Sequence, residues 1–198
     1  MTSDPFFQPP QSTIRTGRGL SPDVYLFRTT INVFCKGKKV EDAIGLFMKM
    51  EELGIASNVV TYNNIIHGLR KNRRLDEALQ FRERMQMLDW GVVPNEVVYN
   101  TLIDGYCKAG NISQALKITD DMISKGITPN TVTLNSLILG LCESNDMEHA
   151  EHVLEEMLLS GLPISHVAYT SIIHGLCMRS KFDSALLFTK KMRAVKKL

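Results

Sequence analysis

Apolar residues recur along this chain with helical spacing, in segments that come in pairs. In one segment four apolar residues follow the spacing i, i+3, i+4 and i+7, which places them on one helical face: Tyr99, Leu102, Ile103 and Tyr106. The segment at residues 40–50 has a similar face, with apolar residues at 40, 43, 44, 47 and 50. Because neither helix of a pair can bury its apolar face alone, we expect neighbouring pairs to stack on one another.

Five stretches of the sequence resemble one another and predict a repeat protein. They read VYLFRTTINVFCKGK, VVTYNNIIHGLRKN, VVYNTLIDGYCKAG, TVTLNSLILGLCESN and HVAYTSIIHGLCMRS. An alanine in each second helix sets the register: Ala43, Ala78, Ala115, Ala150 and Ala185. The pattern predicts an all-α superhelical solenoid of about five stacked helix-turn-helix pairs.

The predicted repeats occupy residues 24–58, 59–95, 96–130, 131–165 and 166–198. The second repeat holds two extra residues within QMLDW, and the last is expected to be incomplete. Residues 1–23 are expected to form an irregular segment in which RGLSPD is the remnant of a preceding repeat.

Glycines occupy two recurring positions in these repeats. One lies within the first helix, where a missing side chain permits close approach of another helix: Gly68, Gly105, Gly140 and Gly175. The other is predicted to end the second helix: Gly54, Gly91, Gly126 and Gly161. Gly110 is a predicted stop of the first helix in the third repeat, and Pro94 and Pro129 prevent second helices from continuing.

Composition and charge exclude several classes of protein. The 198 residues are 44% hydrophobic, which is enough for a packed core, and the net charge of +2 argues against a strongly basic nucleic-acid-binding arm. No apolar run approaches the roughly 18 residues that a membrane span needs. The first twenty residues contain no continuous apolar segment typical of a secretory signal, and their prolines make a poor amphipathic transit peptide.

Candidate metal ligands and catalytic residues lack supporting neighbours. The four cysteines fall in the same position of four repeats, a spacing unlike that of zinc sites: Cys35, Cys107, Cys142 and Cys177. His149 and His152 lie i, i+3 on a second helix without a third ligand nearby, which is typical of a surface pair. With no local Ser-His-Asp or Cys-His arrangement either, the sequence predicts no cofactor, no metal and no enzyme activity.

A second stripe of residues runs along each first helix, away from the apolar face. In the third repeat it consists of Val97, Asn100, Asp104 and Lys108 at i, i+3, i+7 and i+11. The first two repeats carry the corresponding stripes Tyr25, Arg28, Asn32, Lys36 and Val60, Asn63, His67, Lys71. A stripe with an apolar residue, a short polar residue and a basic residue suits a ligand that has a flat ring, a hydrogen-bonding edge and a phosphate.

The repeated sequences resemble those of a known repeat family. TYNNIIHGL, VYNTLIDGYCKAG and TLNSLILGLCESN, each followed by a second helix with the recurring alanine and methionine, resemble the pentatricopeptide repeat proteins of plants. The closest similarity is to the P-class of 35-residue repeats seen in fertility-restorer-like proteins. Tetratricopeptide repeats also form helix pairs, but their period of 34 and their Trp and Leu-Gly landmarks do not match. The resemblance implies a right-handed superhelix that binds single-stranded RNA, with one base read per repeat.

The resemblance also implies a role for individual residues. The residues implied to contact the base edge are Arg28, Asn63, Asn100, Asn135 and Thr170. The residues implied to assist them from the end of the repeat are Asn58, Asn95, Asn130 and Ser165. The residues implied to sandwich the base are Tyr25, Val60, Val97, Val132 and Val167. Candidate phosphate contacts are Lys36, Lys71 and Lys108, which are equally typical of a solvated surface.

An Asn–Asn pair implies a preference for cytidine, Asn135 with Ser165 implies cytidine with uridine tolerated, and Thr170 implies a purine. The expected partner is therefore single-stranded RNA with a C-rich core followed by a purine, whereas Arg28 leaves the first base open. Helix capping is an alternative role for the asparagines that end the repeats.

The setting that the family implies is organellar RNA processing, stability or translation in a mitochondrion or plastid, with protein factors as further candidate partners. There are two alternatives: the chain is a protein-binding scaffold, or it is a non-functional fragment of a longer repeat protein.

Overall fold

The computed structural model describes residues 24–87 and 92–195, with side chains at 24–85 and 92–190. Within these ranges the chain forms ten helices and no strand, which confirms the predicted all-α fold. The helices are α1 (Val24–Lys36), α2 (Val40–Glu52), α3 (Val59–Lys71), α4 (Leu75–Met87), α5 (Glu96–Lys108), α6 (Ile112–Ser124), α7 (Thr131–Glu143), α8 (Met147–Leu159), α9 (His166–Met178) and α10 (Phe182–Val195). They fall into two compact halves that divide between Val93 and Pro94, an N-terminal half with α1–α4 and a C-terminal half with α5–α10.

In the N-terminal half, α1 packs on α2 and α3, and α3 packs on α4. The core is aromatic: the ring of Phe47 meets those of Tyr62 and Phe81 edge-on, with centroids 5.1 and 5.6 Å apart. The predicted face at residues 40–50 is buried at 40, 43, 47 and 50 and half-buried at Ile44, as its helical spacing requires.

In the C-terminal half, α5, α7 and α9 are stacked in sequence, and each also packs on the helix that follows it in the chain. The four residues of the apolar face predicted for the third repeat are all buried: Tyr99, Leu102, Ile103 and Tyr106. Stacking of first helices therefore buries the apolar faces that a single pair would leave exposed.

The glycines within first helices permit close contact between neighbouring repeats. A Cβ atom on Gly140 of α7 would lie 2.7 Å from both Cys107 Cβ and Ile112 Cδ1, and a Cβ on Gly68 of α3 would lie 2.9 Å from Cys35 Sγ. Cys35 and Cys107 thus each place a small side chain against the glycine of the next repeat. This packing explains why a small residue occupies these two positions.

All four cysteines carry free thiols, and the last two are more exposed than the first two. Cys35 and Cys107 are buried, Cys142 is half-buried and Cys177 is exposed. Burial raises the pKa of Cys35 to about 11 and that of Cys107 to about 12. No group of three or more His, Cys, Asp or Glu residues that could hold a metal ion occurs among the described residues.

The turns after the first helices share a backbone feature that glycine alone does not explain. Gly110 has φ +75° and its N–H donates to Cys107 O at 2.9 Å, as its predicted role as a helix stop requires. The four other such turns reach positive φ at non-glycine residues: Lys38, Arg73, Asn145 and Ser180. A left-handed conformation costs residues such as Lys38, Arg73 and Ser180 roughly 1–2 kcal/mol, so sequence patterns that search for glycine miss these turns.

None of the helices in the described residues is both long enough and apolar enough to span a membrane.

Candidate nucleic-acid interface

An apolar side chain is exposed near the start of every first helix. These are the predicted base-sandwiching residues, exposed by 42 to 70%: Tyr25, Val60, Val97, Val132 and Val167. Each of the four valines lies next to a buried residue of its own helix, as Val97 lies next to buried Val98. Apolar surface that recurs at one position of each repeat is available to cover the faces of flat apolar rings.

The predicted edge-reading residues lie one helical turn further along. Asn63, Asn100 and Asn135 are half-buried, as is Arg28, whereas Thr170 is exposed. A half-buried amide on a helix is held by its neighbours yet keeps part of its polar surface accessible.

The residues that end the repeats cap the first helices that follow them. Asn58 caps α3, Asn95 caps α5, Asn130 caps α7 and Ser165 caps α9. In each case the side-chain oxygen accepts a hydrogen bond from the backbone N–H three residues later, at 3.0 to 3.2 Å. The capping interpretation is therefore confirmed, and it fixes each of these side chains at the start of the helix that it caps.

In the third repeat the two predicted base-reading residues contact each other. Asn100 Nδ2 donates to Asn130 Oδ1 at 3.3 Å, and Asn100 Oδ1 accepts a hydrogen bond from Thr133 Oγ1 at 2.5 Å. Asn130 is held in turn by the backbone N–H groups of Val132 and Thr133, and its Nδ2 donates to Glu96 at 3.1 Å. An amide has two donors and two lone pairs, so Asn100 keeps one N–H and one lone pair for another partner.

The fourth repeat joins its two predicted residues through the backbone. Ser165 N–H donates to Asn135 Oδ1 at 3.2 Å, while Ser165 Oγ is occupied by the cap of α9. Asn135 Nδ2 therefore lies on the side of the amide away from Ser165.

The remaining edge-reading positions differ in their hydrogen bonds. Thr170 Oγ1 donates within its own helix, 3.0 Å from His166 O and 2.9 Å from Val167 O. Arg28 Nε and Asn63 Oδ1 are buried polar atoms without a hydrogen-bond partner among the residues that the structure describes. Asn63 lies in the N-terminal half and Asn95 in the C-terminal half.

The candidate phosphate contacts are exposed at the ends of their helices: Lys36, Lys71 and Lys108. Lys108 Nζ lies 2.8 Å from Asp104 Oδ1 one helical turn earlier, so its charge is partly neutralised. Lysines in the last turn also stabilise the negative end of the helix dipole.

The two histidines that could have suggested a metal site contact acids instead. His149 Nδ1 lies 2.9 Å from the Asp146 carboxylate, which raises the pKa of His149. His152 Nδ1 lies 3.9 Å from Glu156 Oε1.

Models of known families match all of the described residues. The family described as the PPR repeat family matches residues 22–69, 57–98, 94–143 and 129–178, and the PPR repeat matches residues 167–195. The chain belongs to the pentatricopeptide repeat family.

Individual pentatricopeptide repeat proteins match shorter stretches in sequence and longer ones in structure. A chloroplastic protein of Arabidopsis thaliana is 71% identical over 35 residues, which are 18% of this chain and 4% of that protein. A mitochondrial protein of Arabidopsis thaliana is 35% identical over 68 residues, which are 34% of this chain and 10% of that protein. This chain therefore spans no more than about a tenth of these two relatives.

Solved pentatricopeptide repeat structures share the fold. The crystal structure of PPR10 from maize covers 89% of this chain with a TM-score of 0.75 at 24% identity, over 25% of its own length. PPR10 in complex with an 18-nt psaJ RNA element gives a TM-score of 0.72 at 25% identity, over 89% of this chain and 26% of that one. The PPR domain of Arabidopsis thaliana protein-only RNase P 1, in complex with tRNA, gives 0.73 at 17% identity, over 86% of this chain and 89% of that domain.

Thr133 is the residue at this pentatricopeptide repeat site that sequence reasoning missed. It is fully buried, three residues after the cap Asn130, and its hydroxyl accepts a hydrogen bond from Asn130 N–H at 3.2 Å. Asn-x-x-Thr is a recognisable capping pattern. Thr133 also contacts Asn100, which lies 33 positions away, and a local sequence pattern cannot predict that contact.

Proposed function

We propose that this chain binds single-stranded RNA sequence-selectively, reading one base per repeat, without catalysis. The observation that carries the proposal is the contact between Asn100 and Asn130, which brings together two amides that come from separate helices. Exposed Val97 lies one turn before Asn100, so a base stacked on its isopropyl group would present its edge to the amide. This combination of an apolar cover and a free donor and acceptor suits a nucleobase.

The same assignment extends to the other repeats, taken as residues 24–58, 59–95, 96–130, 131–165 and 166–198. The proposed base-reading residues are Arg28, Asn58, Asn63, Asn95, Asn100, Asn130, Asn135, Ser165 and Thr170. The proposed target is a short C-rich core followed by a purine, with the N-terminal repeat toward the RNA 5′ end. Lys36 and Lys71 are the stronger candidates for phosphate contacts because Asp104 engages Lys108.

Relatives support the proposed partner and setting. PPR10 forms a complex with an 18-nt psaJ RNA element, and the two Arabidopsis relatives matched in sequence carry chloroplastic and mitochondrial names. We therefore propose a role in organellar RNA processing, stability or translation, exercised by occupying a site on a transcript.

The proposal is tested first by binding of C-rich and A-rich RNA oligomers at two salt concentrations, measured by fluorescence anisotropy. Sequence-selective binding predicts tighter binding of the C-rich RNA at both salt concentrations. A protein-binding scaffold would show neither a base preference nor a steep dependence of affinity on salt.

The second test replaces one of the proposed base-reading residues. Asn100→Thr removes the amide and keeps a short polar group, so the third base should shift from C toward A while its neighbours keep their preferences. Binding is compared among four RNAs that differ only at that base. Asn111→Thr, at the exposed cap of α6, is the matched control and should change no preference. Equal weakening of all four RNAs by Asn100→Thr would show that Asn100 is not a base reader.

A further inference from the structure

The amide of Asn100 is oriented by two groups, the side chain of Asn130 at the end of its own repeat and that of Thr133 in the next repeat. Its oxygen accepts the hydrogen bond from the hydroxyl of Thr133, which is fully buried, and its nitrogen faces Asn130 Oδ1. Asn130 Oδ1 itself is fixed, because it accepts hydrogen bonds from the backbone N–H groups of Val132 and Thr133. Rotating the Asn100 amide by 180° would bring two amide oxygens together and would leave the Thr133 hydroxyl facing an N–H.

Amide orientation matters because cytosine and uracil present opposite patterns. Cytosine offers an N4 amino donor beside the N3 acceptor, whereas uracil offers the O4 acceptor beside the N3–H donor. An asparagine that rotates freely exchanges its donor and acceptor and can pair with either base. An asparagine held in one orientation pairs well with only one of them.

We propose that Thr133 is a positioning residue that sets the discrimination between cytidine and uridine at the third repeat. This inference rests on the proposed function, in which Asn100 reads the base. Thr133 acts through Asn100 and touches no base itself. Its hydroxyl holds the amide oxygen in place, so loss of the hydroxyl lets the amide adopt both orientations.

The neighbouring repeats provide internal comparisons. In the fourth repeat the oxygen of Asn135 is held by the backbone N–H of Ser165, and the residue corresponding to Thr133 is Ala168. For the first repeat, whose proposed pair is Arg28 and Asn58, the corresponding residue is Thr61, also fully buried, whose hydroxyl donates to the cap Asn58 at 3.2 Å. Thr61→Val therefore removes the same group from the same kind of site, away from Asn100.

The experiment measures the ratio of the affinities for RNAs with C or U at the third position, for the whole 198-residue chain. Thr133→Val should reduce this ratio about fivefold, the effect of one typical hydrogen bond, without changing the preference at the fourth base. Thr61→Val should leave the third-base ratio unchanged. Circular dichroism checks that the variants keep their helices.

Three outcomes separate the explanations. A wild-type chain that binds C and U equally at the third position, and A and G equally well, would overturn the proposed function itself. A clear C preference that Thr133→Val leaves intact, while all four RNAs weaken together, would overturn only the positioning role. If Thr133→Val does not fold, Thr133→Ser and Thr133→Ala replace it: the serine must keep the ratio and the alanine must lose it, or the inference is wrong.

Discussion

At the residue scale, capping and recognition use different atoms of the same side chain. An N-cap needs only an oxygen, and Ser165 supplies it as effectively as Asn130 does. The amide nitrogen of Asn130 is therefore not required by the cap, and it donates to Glu96 and leaves a second hydrogen for another acceptor. Capping explains where these residues lie but not which of the capping residue types occupies each site.

Cysteine reactivity provides a residue-scale prediction about packing. The thiolate is the reactive species, and burial raises the pKa of Cys35 to about 11 and that of Cys107 to about 12, so these thiols stay protonated at neutral pH. Cys177 is exposed and should react first with a thiol reagent in the native chain, whereas Cys35 and Cys107 should react only as the protein unfolds. All four should react in denaturant.

The measurement is the number of modified thiols against time, with Cys177→Ser as the control that removes the fast phase. A fast phase that survives this substitution and maps to Cys107 would contradict the packing of Cys107 against Gly140.

At the element scale, α7 lies close to α5 because it carries no side chain at Gly140. The site on Gly140 where a Cβ would stand is already occupied by Cys107 and Ile112 of the preceding repeat. Gly45, near the middle of α2, differs, since a Cβ there would meet nothing within 4 Å. The same substitution should therefore have opposite effects at these two glycines.

Gly140→Ala should lower the free energy of unfolding by about 1–3 kcal/mol, because the added methyl forces α7 away from α5. Gly45→Ala should raise it by about 0.5–1 kcal/mol, because alanine loses less conformational freedom in a helix than glycine. Urea unfolding followed by circular dichroism measures both changes. Equal stabilisation by the two substitutions would show that the helices adjust freely and that the glycine has no packing role.

Periodicity predicted the helices and their buried faces because burial follows directly from the 3.6-residue repeat. Tyr99 and Leu102 are buried for that reason. The turns at Lys38 and Arg73 escaped prediction, since neither residue type favours a positive φ and the geometry is imposed by the packed helix pair. The contact of Thr133 with Asn100 also escaped it, because stacking of repeats creates it between residues far apart in the sequence.

At the scale of the whole molecule, the charge is small for a protein that is proposed to bind a polyanion. The net charge is +2, with 23 basic and 21 acidic residues, so affinity must come mainly from contacts to bases. The chain also spans only about a quarter of PPR10, and binding energy in a repeat protein accumulates with the number of repeats in contact. Both facts favour weak binding by this chain alone.

We therefore predict that this chain binds a five-nucleotide RNA no more tightly than roughly micromolar at physiological salt. Stacking on aromatic platforms contributes about 1–3 kcal/mol per base, valine should lie at the low end of that range, and association costs about 4–15 kcal/mol.

If Lys36, Lys71 and Lys108 each neutralise one phosphate, the slope of log K against log salt should be about −2, which is roughly a twentyfold loss of affinity between 50 and 200 mM salt. Isothermal titration at several salt concentrations measures both quantities, and replacing the three lysines by glutamine should flatten the slope while preserving the preference for C. Nanomolar binding, or a slope that the triple replacement leaves unchanged, would mean that the energy comes from contacts other than these bases and lysines.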